Sequence, residues 1–161
     1  MKPISSRQAG FSLIEVTLAL GVAAICLVSI FTLLPIGLRI NQNAIEEAAS
    51  ADMMGAVIAD LRATPVTTPR GAATISPQFA INVPSNPVGV ATTSTRYFTS
   101  EGQFSPTANA NSRYRLTITF IPNGPGSRIA TLTDLKMTWP AAAAPNNAAG
   151  SVEMFVALDR N

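Results

Sequence analysis

The stretch that decides the fold is GFSLIEV, residues 10–16, where a polar, basic leader meets a long apolar run. The 23 residues 16–38 carry no charge and are rich in Leu, Ile, Val and Ala. A helix needs about 20 apolar residues to cross the hydrocarbon core of a bilayer. The run therefore predicts a membrane-spanning helix with the lipid bilayer around it.

One carboxylate, Glu15, lies at the start of this apolar run. An ionised carboxylate at the centre of a membrane helix costs about 2.5 to 3.5 kcal/mol, so such a residue generally has a partner and a function. No cation occurs within the run, and Arg7 is eight residues away, too far for the i,i+4 pairing of adjacent helical turns. We therefore expect the partner of Glu15 to come from elsewhere.

This junction and its flanks resemble the prepilin-type cleavage and methylation motif of type IV pilins and type II secretion pseudopilins. The residues that carry the resemblance are Gly10, Phe11, the pair Leu13-Ile14, and Glu15. The resemblance implies that a prepilin peptidase cleaves between Gly10 and Phe11 and methylates the new amino group of Phe11. It also implies that Glu15 pairs with this amino group on a neighbouring subunit during assembly.

The leader, residues 1–10, contains Lys2 and Arg7 and no apolar stretch. Positive charge favours the cytoplasmic side of a membrane, so the leader is expected in the cytoplasm. The resemblance implies a single pass through the bacterial inner membrane, with the C-terminal part in the periplasm. An ordinary signal anchor, or a signal peptide cleaved beyond Ile25, accounts for the same apolar residues. The signal peptide is disfavoured because the run continues to Leu38.

The long helix is expected to have two halves, a transmembrane and assembly half at residues 11–38 and an amphipathic half at residues 39–63. In the second half apolar residues recur every four positions, at Ile45, Ala49, Met53, Val57 and Leu61. This spacing predicts one apolar stripe that packs on a soluble domain. The neighbouring acids Glu46 and Glu47 are expected on a solvated face. Pro65 ends the helix near Arg62.

Pro35 lies inside the apolar run, with Gly37 close behind it. Proline removes one helical hydrogen bond and clashes with the preceding turn, so a kink is expected there. In pilins, a proline in this region is similar to the element at which the helix bends or melts in the assembled filament. The position of Pro35 departs by a few residues from the commonest one.

Residues 64–161 predict a periplasmic β-rich domain with loops. Residues 64–103 are punctuated by proline and glycine and predict a connecting loop with two short strands, whereas three later segments alternate apolar and polar residues clearly. The predicted strands are 79–83, 96–99, 113–121, 135–139 and 152–158. The linker 140–150 is made of small residues and is expected to bury nothing. The expected fold class is α+β, a pilin-like long N-terminal helix packed on a small antiparallel β-sheet.

Composition argues against several classes of function. A net charge of +2, with only 12% charged residues, gives no clustered basic face, so no nucleic acid is expected as a partner. There is no histidine, the commonest metal ligand. The acidic residues are dispersed, and no phosphate-binding glycine loop or nucleophile elbow occurs. We expect no catalytic residues, no cofactor and no metal site, and therefore no enzyme.

The single cysteine, Cys26, lies in the apolar run, so the soluble part has no disulfide. This differs from many type IV pilins and is most similar to a minor pseudopilin. The resemblance implies a structural subunit of a type II secretion pseudopilus or type IV pilus, whose partners are other such subunits, prepilin peptidase and the inner-membrane assembly platform. The alternative is a single-pass membrane-anchored periplasmic β domain that binds a ligand or partner without assembling.

Overall fold

The computed structural model describes residues 10, 12–65, 67, 69–124 and 130–159. The leader up to residue 9 and Phe11 therefore lie outside the described residues. The chain divides into two compact units, Met1–Gln42 and Asn43–Asn161. The secondary structure comprises one long helix, two antiparallel sheets and a short 3-10 helix.

The helix α1 spans Leu13–Ala63 without a break. Within the first unit its described side chains are all exposed, and this part is long and apolar enough to cross a membrane. Helical hydrogen bonding continues on both sides of Pro35, so the proline does not end the helix. The kink expected at Pro35 stays a prediction. The helix ends one residue beyond the predicted Arg62.

Seven strands follow the helix. Their bounds are β1 Thr74–Ile75, β2 Asn82–Val83, β3 Thr92–Phe98, β4 Phe104–Ser105, β5 Tyr114–Phe120, β6 Thr131–Trp139 and β7 Gly150–Leu158. Strands β1 and β2 form a small antiparallel pair, and the other five form one antiparallel sheet in the order β4-β3-β5-β6-β7. The predicted α+β, pilin-like fold class is confirmed.

The core of the second unit lies between the last turns of α1 and one face of the five-stranded sheet. Alternate residues of β5 are buried, as the period of two predicted. On the helix, Met54 and Ile58 join the predicted stripe, while Ile45 is exposed and Ala49 is only partly buried. The apolar contact with the sheet therefore begins near Ala49, later along the helix than the spacing indicated.

The region predicted as a connecting loop contains a full strand. β3 covers Thr92–Phe98 and lies between β4 and β5, whereas the sequence predicted only 96–99. Its first four residues, TTST, show no apolar alternation, so pairing with β5 decides the strand. The strand predicted at 79–83 shortens to β2, and Phe79 lies in a turn.

The linker 140–150 was predicted to bury nothing, and this is wrong for Ala141, which is only 3% exposed. Its N–H donates to the Arg113 carbonyl at 2.8 Å, so the chain continues beside β5 beyond Trp139. The linker includes a 3-10 helix, Pro145–Asn147. Gly150 lies directly against the indole of Trp139, where a Cβ atom would clash with the ring. Small residues are needed here because the hairpin closes tightly.

Glu46 does not lie on a solvated face, contrary to the prediction. Its side chain is 16% exposed and forms an ion pair with Arg113, whose Nε donates to Oε1 at 3.0 Å. Burial is the main cause that raises the pKa of Tyr114 to about 12, and the nearby Glu46 carboxylate is the next largest. The carboxylate also raises the pKa of Arg113 through their hydrogen bond. Glu46 thus joins α1 to the start of β5.

Asp60 is a second polar contact between the helix and the rest of the second unit. It is buried, and its two oxygens accept the backbone N–H groups of Gln78 at 3.0 Å and Phe79 at 3.1 Å. A buried N–H needs an acceptor. Asp60 therefore fixes the 77–79 turn against the last turn of the helix.

We expect Asp60→Ala to lower the free energy of unfolding of the second unit by about 2 to 3 kcal/mol, because two buried N–H groups lose their acceptor. Asp60→Asn keeps one carbonyl oxygen and should lose less. The measurement is thermal unfolding of the full chain in detergent micelles, followed by the near-ultraviolet circular dichroism of Trp139.

Asp52→Ala is the matched control, since Asp52 is an exposed acid on the same helix. A surface substitution of this kind should change stability by less than about 0.5 kcal/mol. Equal losses for the Asp60 and Asp52 variants would contradict the role assigned to Asp60.

Candidate processing and assembly site

The start of α1 is fixed by a reciprocal pair of hydrogen bonds between Ser12 and Glu15. The Glu15 N–H donates to Ser12 Oγ at 3.2 Å, and the Ser12 N–H donates to Glu15 Oε2 at 2.9 Å. The Ser12 carbonyl also accepts the N–H groups of Glu15 and Val16. This arrangement is a capping box, in which the first residue and the third helical residue satisfy each other's N–H groups.

The capping box gives Glu15 a partner within its own chain. Because the helix begins at Leu13, Glu15 lies in the first turn, where the positive end of the helix dipole favours a carboxylate. Glu15 therefore lies at the end of the apolar helix, where the cost given for a carboxylate at the helix centre does not apply in full. Pairing of Glu15 with an amino group of another subunit stays a prediction.

The capping box could have been predicted from the sequence but was not. A serine followed three residues later by a glutamate, immediately before an apolar run, is the pattern that predicts it. Ser12 and Glu15 have this spacing. The partner of Glu15 in its own chain is a backbone N–H group and not a cation.

A shallow groove extends along the helix from Glu15. Its lining residues are Glu15, Val16, Ala19, Leu20 and Ala23. The two alanines follow Glu15 at intervals of four residues and so lie on the same face. Small side chains let the backbones of two membrane helices approach closely. This face therefore combines one carboxylate with a surface on which another helix fits.

The other predicted site residues are placed as follows. Gly10 is exposed and non-helical, and apart from its chain neighbours no described residue lies within 4 Å of the position that a Cβ would occupy. Phe11, the predicted methylation site, lies outside the described residues. Pro35 is far along the helix from Glu15 and takes no part in this site.

A groove in the second unit has a mixed lining. Phe79, Phe98 and Phe104 line it, with ring centroids 5.6 to 6.2 Å apart, and Asp52 is also part of its wall. No base or nucleophile accompanies that carboxylate among the residues of this groove. In the part of the chain that the structure describes, no three of the His, Cys, Asp and Glu residues form a group that could hold a metal ion.

Residues 5–33 match the family described as the prokaryotic N-terminal methylation motif. This motif is the signature of type IV pilins and pseudopilins, so the resemblance drawn from residues 10–16 is confirmed. The match supports a type IV pilin-like substrate of prepilin peptidase. No curated protein and no solved structure matches the chain.

We expect Ser12→Ala to loosen the first turn of α1. Loss of a capping hydroxyl costs about 1 kcal/mol, which corresponds to about fivefold faster hydrogen exchange at the first amides of the helix. Ser12→Thr keeps the hydroxyl and should exchange like the wild type. Hydrogen exchange of the full chain in detergent micelles, followed at residues 13–16, measures the difference.

Ser29→Ala provides the control, because the Ser29 hydroxyl donates to the Ile25 carbonyl within the helix and not at its end. This variant should leave exchange at residues 13–16 unchanged. Unchanged exchange in Ser12→Ala as well would show that the Ser12 hydroxyl does not stabilise the helix start.

Proposed function

We propose that this chain is a structural subunit of a type II secretion pseudopilus or type IV pilus. In this proposal a prepilin peptidase cleaves the precursor between Gly10 and Phe11 and methylates the amino group of Phe11. The observation that carries the proposal is the N-terminal methylation motif at residues 5–33, which continues into the single helix Leu13–Ala63.

The uncovered surface of α1 supports this function. Every described residue from 12 to 45 is exposed, although most of these residues are apolar. Leaving a large apolar side chain in water costs about 1.5 to 3 kcal/mol, so lipid or other proteins must cover the helix. Helix association inside a bilayer depends on packing and hydrogen bonds, since lipid is as apolar as leucine. The same surface therefore suits the membrane first and neighbouring subunits later.

Glu15 is proposed to bind the methylated amino group of Phe11 on a neighbouring subunit. Its Oε2 accepts the Ser12 N–H, and among the described residues its Oε1 accepts no hydrogen bond. A carboxylate has room for several donors, so Oε1 is open to an amine. Pairing of the two charges offsets the cost of burying either charge alone. The pair fixes the axial position of one helix relative to the next more than it adds stability.

The remaining parts of the proposal concern location and partners. Residues 1–10 are a cytoplasmic leader, 11–38 the transmembrane and assembly helix, 39–63 its amphipathic half, and 64–161 the periplasmic β-rich domain. The partners are other pilin or pseudopilin subunits and the inner-membrane assembly platform, from which the subunit is extracted into a filament. The single cysteine, Cys26, favours a minor pseudopilin, and the proposal assigns the chain no enzymatic activity.

Mass spectrometry of the mature protein tests processing. We expect N-methyl-phenylalanine from Phe11 as the first residue. Gly10→Val should abolish cleavage, because the peptidase requires the small residue before the scissile bond. Gly21→Val is the matched control, since Gly21 is also exposed, with open space around it, and lies within the helix. Retention of Met1 in the wild type, or cleavage beyond residue 24, would favour the membrane-anchored β domain instead.

Assembly is tested by Glu15→Gln and Glu15→Ala. We expect both variants to insert and to be cleaved normally, yet to enter filaments at least tenfold less, because neither offers a charge to the neighbour's amine. The measurement is the fraction of subunit in sheared or purified filaments. Glu15→Gln keeps an oxygen for the Ser12 N–H, so it separates the ion pair from the capping box.

Glu47→Ala is the control for this measurement, since Glu47 is an exposed acid farther along the same helix. It should assemble like the wild type. Wild-type assembly of Glu15→Gln together with poor assembly of Glu15→Ala would mean that capping, and not charge pairing, is the role of Glu15.

A further inference from the structure

The strand β7, Gly150–Leu158, forms one edge of the five-stranded sheet. Within the described residues its one strand neighbour is β6, to which it is paired along all nine residues. In an antiparallel strand, about half of the backbone N–H and C=O groups point away from the neighbour. β7 therefore presents a row of backbone groups that another strand can match.

The opposite edge of the sheet is partly covered. β4 pairs with the last two residues of β3. The side chain of Arg96, a residue of β3, binds the loop that contains Phe79 and Ala80. Its Nε donates to the Phe79 carbonyl at 3.0 Å, and a second nitrogen donates to the Ala80 carbonyl. Natural proteins cover or shorten their sheet edges in this way to prevent unwanted pairing.

β7 lacks several of the features that usually protect an edge, and Glu153 is its one charged residue. Its sequence, GSVEMFVAL, contains no proline and no lysine, and its register with β6 runs without a bulge. Residues 154–158 are a continuous apolar run. Phe155 is 68% exposed, whereas Phe79, Phe98 and Phe120 are buried. The Phe155 ring adds exposed apolar surface next to the outward backbone groups of β7.

The charges beside this edge are mainly acidic. Glu153 lies on β7, and Asp134 and Lys136 lie on the adjoining strand. Lys136 Nζ is 3.6 Å from Glu153 Oε2, but both side chains are more than 40% exposed, so water screens the pair. Burial and then the Glu153 charge raise the pKa of Asp134. An incoming strand with a basic residue fits this surface better than an acidic one.

We propose that β7 is a strand-addition site for an extended segment of a second protein, in which polar and aliphatic residues alternate and a lysine or arginine faces Glu153. Backbone hydrogen bonds supply the affinity in such complexes, and the side chains on alternate positions supply the selectivity. The exposed ring of Phe155 contacts an aliphatic residue of the added strand.

A second copy of β7 is a poorer occupant. Among residues 150–159 there is no basic residue to face Glu153. Two identical antiparallel edges also pair about a two-fold axis, and such a closed pair does not repeat along a filament. This second point rests on the proposed function, while the site itself depends neither on cleavage nor on Glu15.

The probe is an acetylated and amidated peptide of eight residues, threonine alternating with valine, in which one central threonine is replaced by lysine. Hydrogen exchange of the full chain in detergent micelles is followed with and without the peptide. We expect the β7 amides to exchange about tenfold more slowly at saturation, because their outward N–H groups gain acceptors. The same peptide with glutamate in place of lysine should bind about fivefold more weakly.

Two variants place the site. Phe155→Lys puts a protective charge on the edge and should weaken binding about tenfold. Val90→Lys is the matched control, since Val90 is another large exposed apolar residue but lies outside the strands; it should bind like the wild type. Glu15→Ala should also bind normally, so failed assembly and failed strand addition are distinguishable.

The proposal is overturned if the lysine peptide does not slow exchange in β7, or if it protects other segments equally. Equal binding of the glutamate peptide would refute the predicted charge preference. Protection of β7 that rises with protein concentration in the absence of peptide would identify a second copy of this chain as the occupant.

Discussion

The first half of α1 has apolar side chains that are exposed among the described residues, and the rest of the structure depends on this constraint. Backbone polar groups have no water to bind inside a bilayer, so a spanning segment must satisfy them itself, as an unbroken helix does. The polar side chains of this segment follow the same rule: Thr17, Ser29 and Thr32 each donate to a carbonyl one turn earlier. Glu15 is the one carboxylate among the described residues 12–45 of this segment, and only one of its two oxygens is used by the capping box.

The second half of α1 is held by a different set of contacts. Apolar residues such as Met54 and Val57 fill the interface with the sheet, and a carboxylate lies near each end of that interface. Glu46 binds Arg113 at the start of β5, and Asp60 binds two backbone N–H groups of the 77–79 turn. Apolar packing alone tolerates sliding of a helix along its groove, whereas two directional contacts fix its position along the axis.

Periodicity in the sequence predicted the elements in which one face is apolar. The second half of α1, β5, the second half of β6 and most of β7 were predicted this way, because helical and strand spacings differ clearly. β3 was not, since its polar TTST start has no apolar face and its pairing with β5 is a tertiary effect. The ion pair of Glu46 and the burial of Asp60 depend on segments distant in sequence, so no local pattern reveals them. The capping box of Ser12 and Glu15 was local and could have been predicted.

Under the proposed cleavage between Gly10 and Phe11, the same capping box also bears on the new amino terminus. In a chain beginning at Phe11, the second residue, Ser12, is already fixed by two hydrogen bonds to Glu15. Adjacent Cα atoms are about 3.8 Å apart, so the amino group is tethered within one residue of a rigid point. A group held on so short a tether explores little space and loses little entropy when it docks. In that proposal, the serine at position 12 limits how far a new amino group could move before it meets another molecule.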